Sequence, residues 1–356
     1  MIFKRKNRRT FALIFYSIIF SNTYKKDTMR YLVLLGLALG LFWAGCEEEY
    51  IPDTVYSEPQ VVVEGYIEMA ADALPPYVLL TESRPYLSTF DTEALNNLFI
   101  HDADVWITDG TDTVKLTEVC LEDLAALDTA LRNSVAQGLG LNAGGNFNQD
   151  LNLCAYIDLN AFATGQPSLD IAVGKRYDLI VDIANRPRIT ASTTMPRHIP
   201  VDSIWYQNHP EYPRNDSLVQ VVGYFRDPAN EDNYYRIFSR RNSEPMYPAS
   251  TLGVAVSVTD DNIFDGQSSS FALQRGQPIT VDFDPNTFGY FWRGDTAVLR
   301  AASLDYEHFR FWQTAEYNSN SQGPFANYVR IQSNIKNGIG VFGAISYADY
   351  TIIIPR

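Results

Sequence analysis

A chain of 356 residues, 46% hydrophobic and 13% aromatic, carries enough apolar material for two sizeable cores, which excludes disorder over most of its length. Eight of the 28 basic residues and one of the 42 acidic ones lie in residues 1–45, leaving 20 against 41 and a net charge of −21 beyond them. A surface so acidic repels phosphate backbones and anionic head groups, which argues against nucleic-acid partners and against membrane attachment through a basic patch.

From Met29 the chain reads as a short basic start, an apolar run from Tyr31 to Trp43, the small residues Ala44 and Gly45, and then Cys46. That is the layout of a signal peptide whose apolar stretch is too short for a comfortable membrane span. Small residues before a cysteine are what lipoprotein signal peptidase requires, so Cys46 is the expected site of lipidation and the membrane partner is reached through that anchor. Trp43 stands where an aliphatic residue is usual. The earlier run Phe11–Phe20 is broken by polar residues, and Lys25, Lys26 and Asp27 separate it from the next one; Met29 is the expected start, in preference to a membrane-helix anchor. Residues 1–45 are therefore read as a targeting segment, and 46–58 as the acylated cysteine with an acidic tether opening on Glu47-Glu48-Glu49.

The folded part is expected to be mainly β, because 22 Tyr and 20 Phe favour strands. Gln60–Glu68, Tyr77–Thr81, His101–Thr108, Thr113–Glu118, Cys154–Leu159, Gly174–Asp182 and Ile189–Thr194 are the strand candidates of the first half. Asp109-Gly110 supplies a hairpin turn between the third and fourth. Short strands at this spacing predict an immunoglobulin-like or prealbumin-like β-sandwich over 59–198. Cys120 and Cys154 bracket an insertion with a helix-like acidic run (Leu121–Arg132) and a Gly/Asn-rich tip (Gly138–Asn148). An even pair in an oxidising compartment favours a disulfide over buried free thiols, and metal binding without a matching His pair is the weakest alternative.

The linker Pro196–Pro200 leads into a second β-rich domain, 199–356. Its strand candidates are Ser203–Gln207, Leu218–Arg226, Tyr234–Arg240, Leu252–Val258, Ser270–Leu273, Ile279–Phe283, Thr296–Ser303, Val341–Ala344 and Tyr350–Ile354. Between Leu304 and Tyr317 the apolar spacing changes to that of a helix. In Ser333–Ala344, the glycines Gly338, Gly340 and Gly343 permit positive φ or close backbone approach, which suits a bent strand against that helix better than a ligand loop.

Several of these stretches together resemble one family, the Bacteroidota lipoproteins known as domain of unknown function 4249. Val61–Ile67, Ala103–Asp109 and Gly174–Leu179 look like its first half. Val201–Ile204, Asp232–Arg236 and Asp261–Gly266 look like its middle, and Ser333–Ala344 is the most specific piece. The insertion between the cysteines departs from the pattern. The resemblance implies a cell-envelope lipoprotein encoded near TonB-dependent outer-membrane receptors, and it brings no catalytic residues with it. The acids after Cys46 also resemble the surface-export signal of such lipoproteins.

Chemical motifs are sparse. His101, His198, His209 and His308 form no zinc-binding spacing, and each reads as an ordinary surface or half-buried residue. No Gly-x-Ser-x-Gly elbow is present. Asp260, Asp261 and Asp265 are weak candidates for a calcium loop, but the spacing fails an EF-hand register and a strand-linking turn explains them better. Trp292, Tyr306 and Trp312 are candidate binding aromatics, for a sugar or a partner face, within a cluster more commonly found as core. No cofactor is expected. The leading expectation is a non-enzymatic lipoprotein at the outer membrane, accessory to a β-barrel TonB-dependent transporter in nutrient capture or assembly. The alternatives are an envelope hydrolase acting on glycans or peptides, or a surface adhesin.

Overall fold

The computed structural model describes residues 58–84, 92–120, 153–209, 217–251, 256–277, 284, 286–320 and 329–356. The targeting segment, Cys46, the tether up to residue 57, the insertion at 121–152 and the strand expected at Ile279–Phe283 lie outside the described residues.

The first strands follow from period-two burial. In β1 (Val61–Met69), Val61, Val63 and Ile67 are buried while Val62, Glu64 and Glu68 are less so. It pairs antiparallel with β2 (Tyr77–Glu82), and a short helix α1 (Thr92–Asn96) follows. The hairpin of β3 (Asp104–Thr108) and β4 (Thr113–Cys120) forms at the expected Asp109-Gly110 turn, where Gly110 takes a φ of 87°. Along β4 the partner changes: Thr113–Leu116 pair with β3, whereas Thr117–Cys120 pair with β5 (Cys154–Ile157). One strand thereby serves two layers. The strand expected to reach Leu159 stops at Ile157, because Asp158 accepts from the Ala161 amide and caps helix α2 (Leu159–Thr164). β6 (Arg176–Asp182) and β7 (Ile189–Thr194) complete the second layer beside β3. Val63, Ile67, Leu80, Ile107, Leu179 and Val181 fill the space between the layers.

The second half adds β8 (Val201–Asn208), β9 (Leu218–Arg226), β10 (Tyr234–Arg241), β11 (Tyr247–Pro248), β12 (Ser250–Thr251), β13 (Val258–Asp260), β14 (Ser268–Gln274), β15 (Phe291–Trp292), β16 (Thr296–Leu304) and β17 (Ile339–Ile353). Only the end of the strand expected at Leu252–Val258 coincides with an observed one, β13, since residues 252–255 are not described. Strands β12, β14, β9 and β15, with β8, make a five-stranded sheet. Its Val219, Val221, Leu273 and Phe291 pack on Ile237 and Leu299 of the larger sheet and on Ile354, just past the end of β17. Helix α3 (Tyr306–Asn320) begins at the Asp305 cap and lays Phe309 against Val258, Leu304 and Ile345. Among the described residues, no helix is long and apolar enough to cross a membrane.

Two expectations about the end of the chain are corrected. Val341–Ala344 and Tyr350–Ile354 are not separate strands; they are the two ends of the single 15-residue β17. Residues 341–347 are buried without alternation, so the period-two signal between those ends is absent. This strand also joins the halves expected to divide at 198/199. Ile339–Ser346 pair parallel with β1, and Ile345–Ile353 pair antiparallel with β16. The result is a twelve-stranded sheet ordered β11-β10-β16-β17-β1-β2-β5-β4-β3-β6-β7, with β13 also paired to β10.

Asn334 secures the start of β17. Its side-chain amide donates to the carbonyls of Ser192 (3.1 Å) and Phe342 (2.7 Å), and its oxygen accepts from the Phe342 amide (3.0 Å). Gly340 adopts a φ of 114°, and a Cβ there would fall 2.0 Å from the Val63 carbonyl oxygen, so only glycine allows β17 to lie on β1 at this register.

Candidate functional site

Six neighbouring strands, β11, β10, β16, β17, β1 and β2, present one face to α3. The register aligns that face: Glu68 is opposite Ile345, Tyr66 opposite Tyr77, Ala302 opposite Tyr347, and Phe238 opposite Arg300. Between this face and the helix lies a cavity of about 330 Å³, lined by polar and aromatic side chains from all these elements. Its volume is at the lower end of the range of small-molecule sites, roughly 300–1,000 Å³.

At the buried end, Arg236 is 5% exposed and lies with its guanidinium carbon 3.8 Å from the Trp312 ring centre and 4.8 Å from that of Phe238. It donates to Glu316 (3.1 Å) and to the Ser257 hydroxyl (3.1 Å). Burial lowers the Arg236 pKa, and Glu316 opposes that shift by favouring the charged form. A cation so placed is tolerable because it is both paired and stacked. Towards solvent, Arg300 lies 4.0 Å from the centre of the Tyr347 ring and pairs with Asp349 (2.6 Å) and Asp72 (3.2 Å). The partly exposed Met246 and exposed Pro248 complete this outer side.

Glu68 accepts from the Tyr347 hydroxyl (3.0 Å) and the Leu74 amide (3.2 Å). Burial raises its pKa, against the lowering effect of those two donors. His308 is 1% exposed, and its Nδ1 lies 3.2 Å from the Ala344 carbonyl oxygen, so Nδ1 carries the proton and Nε2 is an acceptor. Burial, with Arg236 nearby, lowers its pKa to about 3 and keeps the ring neutral. Two fully buried polar atoms of cavity-lining residues find no partner among the described residues: His308 Nε2 and Trp312 Nε1. They belong to residues four apart on α3, one above the other on the same helix face.

Gly343 makes this arrangement possible. A Cβ on it would lie 2.5 Å from His308 Cγ, so the bare backbone of β17 is the floor on which the imidazole rests. The expected packing of the glycine-spaced strand against the helix is thus observed, at Gly343.

The candidate residues of the sequence reading separate. Cys120 and Cys154 are opposite each other on β4 and β5 and form a disulfide, with their Cα atoms 4.0 Å apart. His101 and Glu118 approach the same place, but sulfurs bonded to each other offer no thiolate to a metal. Of the three aromatics, Trp312 alone lines the cavity. Trp292 is in β15 beside Leu218, and Tyr306 packs on Tyr234 with ring centres 5.5 Å apart. His308, read as surface or half-buried, is instead buried against the cavity.

The acids of the suspected calcium loop also regroup. Asp261 and Asp265 meet Asp227 from the preceding loop, with ligand oxygens within 4.8 Å of one another, whereas Asp260 sits in β13 outside the cluster. Protein donors already occupy these carboxylates. Asp227 accepts from the Tyr235 hydroxyl and the Gly266 amide (2.9 Å), Asp261 from the Asn233 amide (2.8 Å), and Asp265 from the Asn230 amide (2.9 Å). The cluster is a clasp between two loops. Burial raises the Asp261 pKa, and the charge of Asp227 adds to the rise.

None of the curated proteins is similar to the chain at a significant level. The profile described as domain of unknown function (DUF4249) matches residues 47–351, and the chain belongs to that family.

Proposed function

We propose that the protein is a non-enzymatic cell-envelope lipoprotein, anchored at the outer membrane through Cys46 and accessory to a TonB-dependent β-barrel transporter. The observation that carries this reading is positional: the family match begins at residue 47, directly after the cysteine that ends the signal-like run. The Cys120–Cys154 disulfide supports an oxidising compartment. The net charge of −21 beyond residue 45 favours a covalent anchor over adsorption to anionic lipid. A binding role suits the cavity better than a catalytic one, because burial lowers the His308 pKa to about 3, which makes the ring a weak base, and its acceptor Nε2 is fully buried.

Mass spectrometry of the native protein tests the anchor: a diacylated or triacylated Cys46 at the new N-terminus is expected, and an unmodified thiol there refutes it. Gentle solubilisation of membranes should then co-purify a large β-barrel receptor. Its consistent absence would leave a lipoprotein without the transporter role.

A further inference from the structure

The register of β4 and β5 sets Cys120 opposite Cys154 and Glu118 opposite Tyr156, so side chains two residues apart share one face at the end of the strand pair. His101, just before β3, reaches that face, and its Nδ1 lies 2.5 Å from Glu118 Oε1. The Cys120 sulfur is 3.8 Å from the same oxygen. One ligand atom from each of His101, Glu118, Cys120 and Cys154 lies within 4.8 Å of every other. Glu118 is already oriented from behind. Its Oε2 accepts from the Asp102 amide (2.9 Å) and the Tyr156 hydroxyl (3.3 Å), which leaves Oε1 to His101 and Cys120. Outer hydrogen bonds of this kind hold the ligands of metal sites in place. The cysteines are buried, whereas the His101 side chain is 51% exposed and gives an ion a route in from solvent.

Two thiolates, an imidazole and a carboxylate are ligand types of tetrahedral zinc, and thiolate with imidazole disfavours calcium and magnesium. We propose that reduction of the Cys120–Cys154 bridge converts this end of β4 and β5 into a zinc site, with Cys120, Cys154, His101 and Glu118 as ligands. A dithiol reductant passes two electrons and two protons to the bridge and is itself oxidised to a disulfide. The two thiols then lose those protons as zinc binds, and His101 coordinates through Nδ1 as the neutral ring protonated on Nε2. Zn–S bonds of ~2.3 Å place the two sulfurs about 3.8 Å apart, a separation reached by side-chain rotation with the strands still paired. The ion then holds β4 to β5 where the disulfide did. Bridge and ion exclude each other, so zinc content follows the redox state. The site is independent of the anchor and of any transporter partner.

The test uses the purified full chain, either oxidised or reduced with a water-soluble phosphine that adds no competing thiol, and titrates it with zinc or cobalt(II). The reduced chain should take up one zinc, and its cobalt form should show thiolate charge-transfer and tetrahedral ligand-field bands. The oxidised chain should show neither at the same metal concentration. Cys120→Ser combined with Cys154→Ser leaves Cys46 in place and should abolish the bands, which separates this site from any thiol at position 46. His101→Ala and Glu118→Gln should each weaken zinc binding at least about tenfold, since even an outer hydrogen-bonding partner is worth about 10–100-fold. If the reduced chain loses its fold, zinc should restore it in the parent and not in the double-serine variant, as read by circular dichroism. No zinc uptake by the reduced chain, equal uptake by the oxidised chain, or an affinity unchanged by either His101→Ala or Glu118→Gln overturns the proposal.

Discussion

Replacing Gly343 by alanine tests the packing on which the cavity depends. The glycine is buried in β17, opposite Tyr66 of β1, and its φ is an ordinary one, so the cost of a side chain is steric. The new Cβ would lie 2.5 Å from His308 Cγ, 2.6 Å from Nδ1 and 2.8 Å from Cβ. The imidazole has little room to retreat, being 1% exposed, 5.2 Å from the Tyr66 ring and tied to the Ala344 carbonyl. Helix α3 must therefore lift. Overpacking of this kind costs about 1–3 kcal/mol, whereas alanine regains about 0.5–1 kcal/mol of backbone entropy in the unfolded chain. The steric effect is the larger, and a net loss of about 1–2 kcal/mol is expected in urea unfolding followed by tryptophan fluorescence. In a His308→Ala background, which removes the obstacle, the same substitution should be neutral or mildly stabilising. Equal cost in both backgrounds, or a variant as stable as the parent, would refute the close contact.

Three further outcomes are expected. Reducing the Cys120–Cys154 bridge, or replacing both cysteines with serine, should lower stability by about 2–4 kcal/mol, since the bridge closes a sequence separation of 34 residues; a melting temperature unchanged by reductant would contradict this. Asp305, whose pKa burial raises to about 7 against the donors that hold it, binds a proton more tightly in the folded chain than at its ordinary unfolded value of about 3.9. Its contribution to stability is therefore full below about pH 4 and lost as the pH rises through about 7. Asp305→Asn, which still caps α3, should flatten that part of the stability profile, and superimposable profiles would disprove the assignment. Asn334→Ala removes three hydrogen bonds at the start of β17 and should cost roughly 2–3 kcal/mol in the same unfolding assay. A loss under about 0.5 kcal/mol, the level of an ordinary surface change, would show that the clamp is dispensable.

Much of the fold is legible in sequence because half-buried strands declare themselves locally. Ile189–Thr194 and Leu218–Arg226 occupy the expected bounds, and β1, β6 and β16 differ by a residue or two. Legibility fails where alternation fails, as in the middle of β17, and where a cap intervenes, as at Asp158. The cavity was less legible. Trp312 stood out as an aromatic, but Glu68, Arg236, Arg300 and His308 have no motif spacing and span 240 residues of chain. The one local hint was Gly343, a small residue facing the expected helix.

The amino-acid order alone settles most of the half-buried strands, where α3 begins and ends to within a few residues, and which family the chain resembles, because these rest on neighbours a few positions apart. Which strands meet is another matter. The parallel pairing of β1 with β17 depends on two distant surfaces matching at once, and no local pattern encodes a partner some 280 residues away. That pairing places β1 and β2 beside the second half of the chain, and the cavity exists only because of it.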